Sequence, residues 1–151
     1  MFCPFCGSPN TKVTNSRLTR ANTQVWRRRK CLKCHEAFTS HELIDLSHLI
    51  VHKKSGRAQR FNRLKVYSGI YNATIGFDML GRVELVQRVS GTVERAILRL
   101  RRKDITSDEI ADIILRELKR AHAQTFLRFL AYTKAIKTDK DLVREFNRYT
   151  K

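Results

Sequence analysis

All four cysteines of the chain lie within its first 34 residues, as Cys3-Pro4-Phe5-Cys6 and Cys31-Leu32-Lys33-Cys34. A C-x-x-C pair puts two thiolates on one tight turn, where both reach the same tetrahedral Zn²⁺ at ~2.3 Å. Two such pairs, separated by residues 7–30, supply all four ligands of one metal ion per chain. No coordination position is left open, so the site is read as structural and not catalytic. Three other readings compete with zinc. Disulfides need an oxidising compartment. A thioredoxin-like pair needs only one C-x-x-C at a strand-to-helix junction. His35 or His41 is a candidate to replace one thiolate. A segment of ~45 residues with so few apolar side chains needs the metal in order to fold.

Within the metal loop runs Val25-Trp26-Arg27-Arg28-Arg29-Lys30. Four consecutive cations exclude a buried strand and point to an exposed ribbon with an edge turned toward phosphates. Residues 11–17 (Thr-Lys-Val-Thr-Asn-Ser-Arg) alternate as a partnering strand, and Ala21-Asn22-Thr23 suits the turn between them. Lys12, Arg17 and Arg20 add charge to the same module. Guanidinium groups grip phosphates bidentately and read guanine edges. Trp26 either stacks on a base or packs beside the metal.

The remainder is also basic. The whole chain carries 31 Lys plus Arg against 14 Asp plus Glu, a formal charge of +17. Such a balance attracts polyanions, with nucleic acid first, nucleotide phosphates second and an anionic membrane surface a distant third. No apolar run approaches the ~20 residues that span a bilayer, and the N-terminus lacks a signal-peptide pattern, so a soluble cytoplasmic chain without a membrane partner is expected.

Residues 49–53 read as a strand, Lys54-Ser55-Gly56 as a turn and residues 57–61 as the returning strand. Asn62 caps a helix over residues 63–70. Lys53 and Lys65 are candidates to meet one anion near that helix start. Val86, Val89, Val93, Ile97 and Leu100 recur at steps of three and four, with Arg88, Arg95, Arg99 and Arg102 as a basic stripe on another side. Thr106-Ser107-Asp108-Glu109 is a capping box for a helix burying Ile110, Ile113, Ile114 and Leu118. Residues 125–136 carry Phe126, Phe129 and Leu130. Thr138 or Asp139 caps a final helix with Leu142 and Phe146. The apolar stripes are read as core, and His122 as an ordinary residue. No P-loop, Ser/His/Asp set or spare thiol is present, so no enzyme is expected.

The string Cys3-Pro4-Phe5-Cys6-Gly7-Ser8, Thr11-Lys12-Val13, Ser16-Arg17, Arg27-Arg28-Arg29-Lys30-Cys31, Cys34 and Phe38-Thr39-Ser40-x-Glu42 resembles the NrdR family, bacterial repressors of ribonucleotide reductase genes. Val51-His52-Lys53, Gly56-Arg57, Phe61-Asn62, Lys65, residues 105–110 and residues 126–129 resemble an ATP-cone. The resemblance implies an α+β chain: a zinc ribbon of small antiparallel β structure (1–46), an ATP-cone of one hairpin and about four helices (47–138), and a C-terminal helix (139–151). It implies ATP and dATP as effectors, a homo-oligomer whose state follows the nucleotide, binding to double-stranded operator DNA, and a nucleoid-associated place in a bacterial cytoplasm. By position, Lys53 and Lys65 would contact phosphates, Val51 and His52 would line the pocket, and Gln59 would join them. Lys12, Arg17, Trp26, Arg27, Arg28, Arg29 and Lys30 would form the DNA side. The sequence departs from the family at Gln59-Arg60, where Glu-Pro is usual, and at Thr133, where an aromatic is usual and Tyr132 stands one place early. A zinc-ribbon nucleic-acid binder with a cone that no longer senses nucleotide, and a free cone that docks on a reductase, are the alternatives.

Overall fold

The computed structural model describes residues 1–18, 24–76, 78–134 and 136–150. The turn expected at Ala21-Asn22-Thr23, and Arg20, lie outside the described residues. The chain forms two compact units, Met1–Asp45 and Leu46–Lys151.

The first unit is a three-stranded antiparallel sheet, β1 (Thr11–Leu18), β2 (Gln24–Cys31) and β3 (Ala37–Leu43), in the order β1-β2-β3. The β1–β2 pair was legible in the sequence; β3 was not. Each C-x-x-C turn is closed in the same way. The Cys3 N–H donates to the Ser8 carbonyl and the Cys31 N–H to the Glu36 carbonyl, both at 2.9 Å. The residue after each second cysteine turns left-handed, Gly7 with φ 68° and His35 with φ 62°. Glycine takes this conformation without steric cost, whereas histidine is one of the few other residues found there. His35 thus serves the backbone of the second turn. Among the described residues of this unit only Cys3, Ser8 and Cys31 are buried. The sheet has no apolar core of its own.

The second unit has a conventional core. β4 (Ile50–His52) pairs antiparallel with β5 (Ala58–Arg60) and parallel with β6 (Asp104–Thr106). Five helices follow the first hairpin: α1 (Arg63–Ala73), α2 (Met79–Leu100), α3 (Ser107–Ala121), α4 (Ala123–Thr133) and α5 (Asp139–Thr150). Helices α1 to α4 pack in a closed ring, each against the next and α4 against α1, and α5 leans on α3. The helix starts follow local chemistry. The Asn62 side chain accepts from the Leu64 N–H at 2.8 Å. The Thr106 hydroxyl accepts from the Glu109 N–H while the Glu109 carboxylate accepts from the Thr106 N–H. These bonds satisfy donors that the first helical turn leaves without partners. The Thr106 N–H and the Arg102 guanidinium hold Glu109 below the usual carboxylate range. His122, read as ordinary, caps α4 by accepting from the Thr125 N–H.

The core runs through Val51, Phe61, Ile70, Val86, Val93, Ile105, Leu115, Leu118, Phe126 and Leu130. Leu100, expected on the apolar face of α2, is instead exposed near the end of that helix. A half-buried polar junction ties the last helix down. Asp112 on α3 accepts from Lys134 at 2.6 Å, from the Tyr149 hydroxyl at 2.5 Å and from Arg148 at 3.2 Å. Burial opposes the charge on Asp112, but Lys134 and Tyr149 outweigh it and the carboxyl stays below its ordinary range.

Candidate functional site

Three arrangements stand out, and the first is the sulfur cluster. The four Sγ atoms of Cys3, Cys6, Cys31 and Cys34 lie within 4.8 Å of one another. Cys3 Sγ is 3.6 Å from Cys34 Sγ, and Cys6 Sγ is 3.7 Å from Cys31 Sγ. A disulfide would bring two sulfurs to ~2.05 Å. A tetrahedron with metal–sulfur bonds of ~2.3 Å has edges of ~3.8 Å. The cluster has the dimensions of a metal cage, and all four cysteines are free. Its electrostatics agree. Backbone N–H groups of Cys34 and Lys33, working against burial, lower Cys31 to about 6. Cys34, although the Glu36 N–H favours its thiolate, is pushed up to about 12 by burial and the three neighbouring sulfurs. Four thiolates this close ionise together only around a cation. The donor set fits one Zn²⁺, which needs neither His35 nor His41.

The second arrangement is the basic sheet. A strand turns successive side chains to opposite faces, so the cations in sequence at 27–30 are split between the two sides. Trp26, Arg28 and Lys30 share one face, and their β1 partners are Arg17, Asn15 and Lys12. Lys12 and Arg17 are five residues apart and would fall on opposite faces of a regular strand. A bulge between Val13 and Asn15 restores them to one face, and the Thr14 hydroxyl there donates to the Arg28 carbonyl at 3.1 Å. On the other face Arg27 donates twice to Glu42, at 3.0 and 2.6 Å, and Arg29 donates to Ser40 at 2.9 Å. The seven residues of the expected DNA side therefore divide into five on a shared open face, where Arg28 donates to Thr39 at 3.3 Å, and two behind it. Trp26 is half-buried between Arg17 and His41 on the open face.

The third arrangement is a cleft of about 950 Å³ in the helical unit. Its floor includes Val51, Phe61, Val66, Ile110 and Phe129, and its cations are Lys53, Lys54, Lys65 and Arg128. A cavity of this size with an apolar floor and a few placed charges suits a small phosphorylated ligand. Gln59 accepts from Lys65 Nζ at 2.7 Å. A neutral amide holds the ammonium in place without cancelling its charge. Lys54 is 3.1 Å from Asp108, at the start of α3. Of the five residues expected here, Val51, Lys53, Gln59 and Lys65 line the cleft. His52 does not. Alternation along β4 turns it away from Val51, and its ring stands 4.0 Å from Asp104. Sequence reasoning missed Lys54, Arg128 and Tyr132. Lys54 carries only a turn signal in the sequence, and α4 reaches the cleft only through packing of the helical ring.

Residues 1–42 match the family described as transcriptional repressor NrdR-like, N-terminal domain, and residues 49–139 match the ATP cone domain. Over 148 residues the chain is 34% identical to a protein of Kosmotoga olearia named transcriptional repressor NrdR, covering 96% of this chain and 92% of that one. A protein of the same name from Desulforapulum autotrophicum is 34% identical over 145 residues, 96% of this chain and 87% of that one. One from Thermoanaerobacter is 29% identical over 151 residues, all of this chain and 94% of that one.

Proposed function

Since the chain belongs to the NrdR family of transcriptional repressors and carries its zinc ribbon and ATP-cone, we propose that it is a zinc-dependent repressor in the bacterial cytoplasm that senses ATP and dATP and binds operator DNA upstream of ribonucleotide reductase genes. Cys3, Cys6, Cys31 and Cys34 hold one structural Zn²⁺. The metal fixes the sheet that presents Lys12, Arg17, Trp26, Arg28 and Lys30 to the duplex. Adenine nucleotide occupies the cleft, with its phosphates toward Lys53 and Lys65, and changes the number of chains that assemble. No helix among the described residues is long and apolar enough to cross a membrane.

The observation that carries this reading is the cationic cleft, in which Lys65 is held by an uncharged partner. Equilibrium dialysis of the zinc-loaded chain tests it. ATP and dATP are expected to bind, and Lys65→Ala to weaken both by about tenfold or more, as befits a lost charge-assisted bond of ~1.5–3 kcal/mol. Light scattering with and without nucleotide then reads the assembly. If no adenine nucleotide binds, the reading shifts to a zinc-ribbon nucleic-acid binder with a degenerate cone. Thr133 lining the cleft, where the family usually has an aromatic, favours that alternative.

The division of the arginines makes a sharper test of the DNA face. Arg28→Gln is expected to lower operator affinity and to reduce the salt slope by about 0.9, the share of one phosphate contact. Arg27→Gln removes the same charge from the face where Glu42 already engages it. It is expected to change the slope by less than half as much. Equal effects of the two substitutions would refute the assignment of the open face.

A further inference from the structure

The basic stripe of α2 belongs to neither the sheet nor the cleft. Arg88, Arg95 and Arg99 lie at steps of seven and four, and Arg102 follows three residues on. At ~100° per residue Arg88, Arg95 and Arg99 stack along one line of the helix, and Arg102 lies past its end at Leu100. The buried residues Val86, Val89, Val93 and Ile97 stack along the opposite line. The stripe therefore points away from the core. From Arg88 to Arg99 it runs ~16 Å, at 1.5 Å per residue. Beyond the helix end, Arg101, Arg102 and Lys103 are also exposed.

The bland account is a solvated helix face. Such faces mix signs, with acid and base four residues apart. Here Arg95 and Arg99 are like charges at that spacing, an arrangement that disfavours an isolated helix. Among the described residues no carboxylate pairs with Arg88, Arg95 or Arg99. Of the two acids on α2, Glu94 is engaged by Arg63 of α1, and Glu84 stands four residues before Arg88 on the same side without an ion pair to it. Arg95 donates to Thr92 at 2.7 Å, which orients it along the surface. Arg102 is the one member with an acidic partner, Glu109 at 2.6 Å. A helix that holds Arg95 and Arg99 in line despite the repulsion, with Arg88 on the same side, has the charge pattern of a phosphate-tracking surface. A duplex carries a phosphate every ~3.4 Å of axis on each strand, so the stripe spans about five base pairs.

We infer that the outward α2 stripe of Arg88, the half-buried Arg95 and Arg99 is a second, sequence-independent contact surface for duplex DNA, separate from the zinc-ribbon sheet. It supplies non-specific backbone affinity, while the sheet supplies base contacts. This inference rests on the reading of the chain as a duplex-binding repressor.

The test measures binding of the full, zinc-loaded chain to a duplex of random sequence over a range of salt. The variant R88Q/R95Q/R99Q keeps good helix formers at exposed or half-exposed positions. Its salt slope is expected to fall by about 2 to 3, and its affinity at low salt by roughly tenfold. Zinc content, dATP binding and assembled mass should not change. A control variant, R57Q/R116Q/R120Q, removes the same charge from exposed positions elsewhere. An unchanged slope in the stripe variant, or an equal fall in the control, overturns this inference alone. A changed assembled mass in the stripe variant also overturns it, since the stripe would then be a contact between copies. Failure of the unaltered chain to bind any duplex overturns both this inference and the reading it rests on.

Discussion

Stripping zinc from the full chain with a strong chelator is expected to abolish the sheet of residues 1–45 and, with it, all operator binding, while residues 46–151 stay folded. The first unit buries only Cys3, Ser8 and Cys31 among its described residues. Nothing apolar in that set offsets the ~1–2 kcal/mol of backbone entropy lost per ordered residue. Structural zinc contributes ~10–16 kcal/mol of apparent binding free energy in small sites of this kind, and that energy is folding energy. Cys31→Ser is expected to do the same, since it removes the most buried of the four sulfurs. Amide hydrogen exchange checks both cases. The β1–β2 and β2–β3 amides should exchange as in an unfolded chain, while those of α3 remain protected. Persistent protection of the sheet in chelator, with four titratable thiols, would show that the cage is not what holds it.

The second large effect is expected at Phe126, in the core of the helical unit. Phe126→Ala should lower the unfolding free energy of residues 46–151 by ~3–5 kcal/mol, the range for a buried phenylalanine truncated in a packed core. The ring is 2% exposed and meets Phe146 and Tyr149 of α5 edge-on, with centroids 6.1 and 6.0 Å apart. The loss therefore falls on the docking of α5 as well as on α4. Tyr149 would keep its hydroxyl bond to Asp112 but lose the ring it packs against. Nucleotide binding should weaken too, because α4 carries Arg128 and Phe129 into the cleft. Chemical denaturation followed by far-UV circular dichroism measures the first effect, and dialysis against dATP the second. A change below about 1 kcal/mol would mean that the core closes over the vacancy.

Some of this architecture is written locally. The spacing of the cysteines specifies a two-turn metal module, because a C-x-x-C turn places its sulfurs together whatever the rest of the chain does. Asn62 and the Thr106–Glu109 pair mark helix starts, because capping bonds reach only two or three residues. The 3.6-residue period reveals the core faces of α2, α3 and α4 for the same reason. Other parts have no local signature. β3 carries His41 and Glu42 in a seven-residue stretch with weak alternation, and it becomes a strand because β2 offers it an edge. β6 is three residues long, too short to show a period, and exists through parallel pairing with β4.

The candidate sites divide along the same line. The chain's own order of residues determined which side chains are the candidate metal ligands, which helices form and how much positive charge the molecule carries. Only the tertiary structure decided which cations act together. Strand register and the bulge before Asn15 gathered Lys12, Arg17, Arg28 and Lys30 on one face and left Arg27 and Arg29 behind it. Packing of the helical ring brought Arg128 to Lys53 and Lys65 across more than sixty residues of sequence. The physical reason is range. Turns, caps and helical periods act over a few residues and are fixed by them. Register and packing join distant segments, and their outcome depends on the fit of whole surfaces.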